Sequence, residues 1–116
     1  MKETDSETIH RAGIRELNNQ FRVYSVGNGQ LLITAGVQAR GGEFVAAVLQ
    51  AMREYDKFNP HDDPWNEHDF AAIAIGDEKA LWKIDYYNID CTKASPNAAD
   101  ETVTCRVLNI MLAEEY

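Results

Sequence analysis

Between His61 and Asp69 the chain reads His-Asp-Asp-Pro-Trp-Asn-Glu-His-Asp, nine residues that hold two of its three histidines and four carboxylates. Imidazole nitrogen combined with carboxylate oxygen suits zinc, iron or manganese. On that chemistry His61, His68 and Asp69 are the candidate ligands, with Asp62 or Asp63 folding over them. The same groups could instead move protons, because an imidazole oriented by a carboxylate is a common general base. His68, Asp69 and Asp85 are then the candidate catalytic residues, with Tyr87 beside them. The spacing matches no established zinc pattern such as HExxH, and no Gly-x-Ser-x-Gly elbow supplies a nucleophile. A plainer alternative stands beside both: Asp63 before Pro64 sets a turn, and His68 hydrogen-bonds loop carbonyls.

The elements that must position these groups follow from periodicity. Ile9, Leu17 and Phe21 recur at helical spacing and predict a helix over about Ser6 to Arg22, with Asp5 or Ser6 as its cap. Asn28-Gly29 marks a turn, and Leu31 to Ala35 reads as a short buried strand. A loop over Gly36 to Gly42 leads to a second helix, about Glu43 to Tyr55, whose inward stripe is Val45, Val48, Leu49, Met52 and Tyr55. Arg40-Gly41-Gly42 before that helix lacks the Gly-Lys-Ser/Thr of a phosphate loop, so these are turn glycines. Asp100 is expected to cap a last helix from about Glu101 to Glu114, with Val103, Val107, Ile110 and Met111 turned inward.

Two strands, Asp69–Ile75 and Ala80–Tyr87, form a hairpin around Gly76-Asp77-Glu78-Lys79. Pairing Ile75 with Ala80, Ile73 with Trp82 and Ala71 with Ile84 puts all of these side chains on one face. The reverse face then carries His68, Phe70, Lys83, Asp85 and Tyr87, with His68 across from Tyr87. The expected architecture is a single α+β domain over residues 1–116, a small antiparallel sheet with the hairpin at its centre and about three helices against it.

At 116 residues, with 45% hydrophobic and 26% charged residues, the chain can build a core without disulfides or metal. Its net charge of −8 argues against direct contact with nucleic acid or an anionic membrane, whose phosphates would be repelled. It favours a cation or a protein with a basic surface. No apolar run approaches the roughly 20 residues that span a bilayer. Met1-Lys2-Glu3-Thr4-Asp5 lacks a leader's apolar segment, and the two cysteines, Cys91 and Cys105, are expected to be reduced. A cytoplasmic location follows as the expectation.

Three segments, Leu31-Leu32-Ile33-Thr34-Ala35-Gly36-Val37, Asp63-Pro64-Trp65-Asn66-Glu67-His68-Asp69-Phe70 and Trp82-Lys83-Ile84-Asp85-Tyr86-Tyr87, resemble the bacterial domain of unknown function 3768 family, as does the ending Arg106 to Tyr116. The family pattern has glycine where Asn66 and Ala71 stand and an acid where Asn88 stands. The resemblance implies no activity, only an association with bacterial genomes and plasmids.

The functional expectation is therefore an acidic interaction protein of a mobile element that contacts a basic partner through Asp62, Asp63, Trp65, Glu67 and Tyr87. Its finer form is an inhibitor of a nucleic-acid-handling or defence enzyme, through Coulombic complementarity. It needs no cofactor. The alternative is a small hydrolase that uses a divalent metal such as zinc at the His/Asp cluster.

Overall fold

A computed structural model describes residues 5–116, the side chain of Asp5 excepted. Helix α1 spans Asp5–Tyr24, so Ser6 lies inside it rather than capping it; a cap at the Asp5 side chain, like the reading of the first four residues, falls outside the described residues. Strand β1 (Gly29–Ile33) follows. Thr34 then starts a single helical turn, α2 (Ala35–Gln38), its Oγ1 accepting from the Val37 amide at 3.4 Å. This turn stands where a loop was expected. It buries Val37 completely.

Helix α3 (Gly42–Glu54) enters through Gly41 at φ 99, a conformation open to glycine, and buries Val48 and Met52. Strands β2 (Phe70–Ile75) and β3 (Glu78–Tyr87) form the expected hairpin, and a 3₁₀ turn (Glu101–Val103) precedes β4 (Cys105–Leu112). The sheet order is β1-β4-β3-β2; β1 runs parallel to β4, and the other two pairings are antiparallel. Three helices and a mixed, mostly antiparallel four-stranded sheet make an α+β fold.

Two expectations are corrected. The last helix is a strand: Asp100 does cap, but it caps the 3₁₀ turn, its carboxylate accepting from Thr102. From Cys105 the side chains alternate, and Arg106, Leu108, Ile110 and Leu112 turn to the helices. The stripe Val103, Val107, Ile110, Met111 fits a helix by spacing. A strand wins because this segment lies between β1 and β3 and satisfies the backbone groups of both.

The hairpin register also slides by two residues. Gly76-Asp77 is a two-residue turn with Gly76 at φ 60, so Ile75 meets Glu78, Ile73 meets Ala80 and Ala71 meets Trp82. A two-residue slide preserves which face each side chain occupies. Ala71, Ile73, Ala80, Trp82 and Ile84 accordingly pack as one cluster with Val37, Val48, Met52 and the inward side of β4.

Candidate functional site

The His61–Asp69 segment lies under α1, where Arg15 and Asn18 bond its carbonyls, and Asp63 holds its shape. Asp63 is 4% exposed; its two carboxylate oxygens accept from the backbone amides of Glu67 (3.0 Å) and His68 (3.1 Å), and its carbonyl accepts from Asn66. Asn66 at φ 55 and His68 at φ 56 both take the left-handed conformation, so the chain reverses twice in three residues. Asn66 tolerates this well. From above, Arg15 Nη1 donates to the Asn66 carbonyl at 3.1 Å, and the Arg11 guanidinium lies 3.8 Å from the Trp65 ring centroid.

These reversals send His68 to the core face. Its ring stacks on Phe58 at 3.8 Å and 5° between planes, and Nδ1 lies 3.1 Å from Asn19 Oδ1. A carboxamide oxygen only accepts, so Nδ1 carries the proton. Burial holds the His68 pKa below its ordinary value; the nearby Arg15 and Arg22 cations push the same way, and Asp63 opposes them. His68 is a half-buried imidazole stacked on Phe58.

Behind it lies a polar network. Asn18, fully buried, donates to the Glu67 carbonyl (2.9 Å) and the Tyr86 hydroxyl (2.8 Å) and accepts from Arg106 Nε at 2.7 Å. Tyr86 in turn donates to Glu67 Oε1 at 3.0 Å. Arg22, 4% exposed, donates to the carbonyls of Met52, Arg53 and Tyr55 and so caps the C-terminal end of α3. Sequence reasoning missed this network. Its signal was the row Ile14, Asn18, Arg22, four residues apart, where polar side chains continue an apolar line.

Asp69 points elsewhere. With Asp62, Trp65, Phe70, Lys83, Asp85 and Tyr116 it lines a cleft of about 400 Å³. Trp65 is 55% and Tyr116 74% exposed, and the Phe70 and Tyr116 rings meet edge to face with centroids 6.0 Å apart. Lys83 pairs with Asp85 at 3.1 Å. No cationic side chain among the described residues pairs with Asp69. Burial, then the nearby carboxylates Glu67, Asp63 and Asp85, push its pKa up to about 6.

That carboxylate is held at a cost to stability. Between its ordinary 3.8 and about 6 the folded state keeps a proton that the unfolded state has released, so stability falls as pH rises through that window. The full difference corresponds to ~3 kcal/mol, which partial exposure reduces. Asp69→Asn is therefore expected to raise stability by about 1–2 kcal/mol at pH 7, with the gain gone below about pH 4. Urea titrations at both pH values read this directly; a gain independent of pH would show that the charge is not its source.

The structure separates the expected catalytic and metal sets. His68 lies on the Trp82 face, Asp69 and Asp85 line the cleft, and His61 is exposed on the loop. Among the described residues no three His, Cys, Asp or Glu side chains converge to hold a metal ion. The cause is the positive φ at His68, which breaks the strand alternation on which His68 and Asp85 would have shared a face. Of the expected contact residues, Asp62 and Trp65 line the cleft. Asp63 and Glu67 are committed to internal hydrogen bonds, and Tyr87 lies at a different cleft with Gln30, Leu32, Cys91, Val107 and Asn109. Phe70 and Lys83, expected on the same face as Asp85, join the cleft, as does Tyr116, which was not anticipated.

The fold and cleft define an α+β protein with an aromatic, carboxylate-lined surface site. The chain belongs to the family described as protein of unknown function (DUF3768), whose model matches residues 33–115. No curated protein and no solved structure matches it. No helix among the described residues is long and apolar enough to cross a membrane.

Proposed function

We propose that this protein is a cytoplasmic interaction module that receives a basic segment of a protein partner in the Asp62–Trp65–Asp69–Asp85–Tyr116 cleft. The observation that carries the reading is Asp69, a carboxylate that pairs with no cation among the described residues, near like charges and flanked by exposed rings. An arriving guanidinium or ammonium would relieve the repulsion and lie against aromatic faces, which attract cations. A carboxylate retained against stability is common at binding sites. In its finer form the module is an inhibitor encoded on a mobile element, its net charge of −8 competing with nucleic acid for a basic groove.

A short arginine-rich peptide is the probe, followed through Trp65 emission, since Trp82 is buried and gives a constant background. Binding is expected to weaken roughly tenfold in the double variant Asp69→Asn with Asp85→Asn, an effect of about 1.4 kcal/mol. It is also expected to weaken as pH falls through about 6, where Asp69 gains its proton and loses its charge. Equal affinity for the wild type and the double variant at low salt would remove the cleft as the contact.

A further inference from the structure

Tyr87 ends β3 opposite Cys105, the first residue of β4. After Tyr87 the chain folds back on itself: the Asn88 amide donates to the Lys93 carbonyl, the Cys91 amide to the Asn88 carbonyl at 2.9 Å, and Tyr87 bridges to Ala94. Asn88 Oδ1 braces this turn by accepting from the Thr92 and Lys93 amides. Cys91, at φ 57, lies at the tip and is exposed. The turn folds toward the sheet. Cys91 shares a cleft with Tyr87, Val107 and Gln30, whose Nε2 lies 3.9 Å from its sulfur. Cys105 is 7% exposed and, two residues from Val107 on β4, faces the same side. The only two cysteines of the chain, 14 positions apart, are thus placed on one face of the sheet by a braced turn, where the Cys105 thiol interacts with Cys91.

We propose that Cys91 and Cys105 are a modification site that closes to a reversible disulfide when the protein meets a small-molecule disulfide such as oxidised glutathione. The exposed thiol reacts first. Cys91 thiolate attacks one sulfur of the small disulfide, giving a mixed disulfide and releasing one small thiolate. Cys105 then loses its proton to solvent and attacks the Cys91 sulfur, forming the protein disulfide and releasing the second small thiolate. Two protein thiols are oxidised and one small disulfide is reduced to two thiols. Burial, then the interaction with Cys91, raises the Cys105 pKa, so the second step accelerates as pH rises. The closed bond would pin the turn after Tyr87 to the start of β4, beside the cleft that holds Gln30 and Leu32.

The test uses the full chain treated with oxidised glutathione and followed by intact-mass and peptide mapping. The wild type is expected to pass through a glutathione adduct on Cys91 to a species lacking two hydrogens, with peptides containing residues 91 and 105 linked. Cys105→Ser is expected to stop at the adduct, and Cys91→Ser to stay unmodified, both keeping the native circular dichroism. Closure of the wild-type adduct is expected to quicken several-fold from pH 7 to pH 8. A wild type that stops at the adduct, or links only between two chains, would overturn the proposal. So would Cys91→Ser taking glutathione as fast as the wild type.

Discussion

Trp82→Ala is expected to lower stability by ~3–5 kcal/mol, the range for truncating a large buried aromatic. Trp82 has no exposed surface and lies between Ala71 on one neighbouring strand and Ile110 on the other. Its ring meets Tyr55 and Phe58 edge to face, with centroids 6.3 and 6.0 Å away, and the Arg22 guanidinium is 5.2 Å from it. Removing the indole would therefore open a cavity and also strip the aromatic lining from a buried cation. Its Nε1 is buried without a hydrogen-bond partner among the described residues, so Trp82→Phe, which removes that donor and keeps a ring, is expected to cost markedly less. Urea unfolding of both variants checks the ordering. Equal losses for Ala and Phe would mean that ring packing is not what the site contributes.

The second large effect belongs to Asp63. Replacing it with alanine leaves the amides of Glu67 and His68 without their acceptor inside a loop that has two positive-φ residues. Hydrogen bonds to charged groups contribute ~1.5–3 kcal/mol each and are not additive here, so a loss of about 2–4 kcal/mol is expected. Asp63→Asn, which keeps one good acceptor oxygen, is expected to lose roughly half as much. The loss should be accompanied by a shifted His68 ring resonance, because the His68–Phe58 stack depends on that loop geometry. Wild-type stability in Asp63→Ala would show that α1 alone, through Arg15 and Asn18, holds the segment.

Asp63 and Asp69 carry the same functional group six residues apart and have opposite effects. One is buried among amide donors and supports the loop. The other stands near other carboxylates and pairs with no cation among the described residues, and its neutralisation is expected to stabilise the protein. Asp63 therefore reads as structure, and Asp69 as the carboxylate on which the proposed binding rests.

Much of this was legible in the residues alone. The two long helices, the hairpin, its buried face and the turn-setting part of Asp63 follow from apolar spacing and from glycine, proline and aspartate chemistry, which act locally. The segments shared with the family pattern were likewise visible as strings. Three features required the folded chain. Cys105–Leu112 has spacing for a helix as well as for a strand, and only the empty place between β1 and β3 decides between them. His68 parts from Asp85 because a backbone reversal at positive φ, held by Asp63, interrupts an alternation that sequence spacing assumes to be continuous. The cleft itself joins Asp62 and Trp65 from the loop, Asp69 and Phe70 from the start of β2, Lys83 and Asp85 from β3, and Tyr116 from the chain end. Local patterning specifies which side chains turn inward, whereas the company each polar group keeps is set by contacts between segments far apart in the chain, which spacing does not encode.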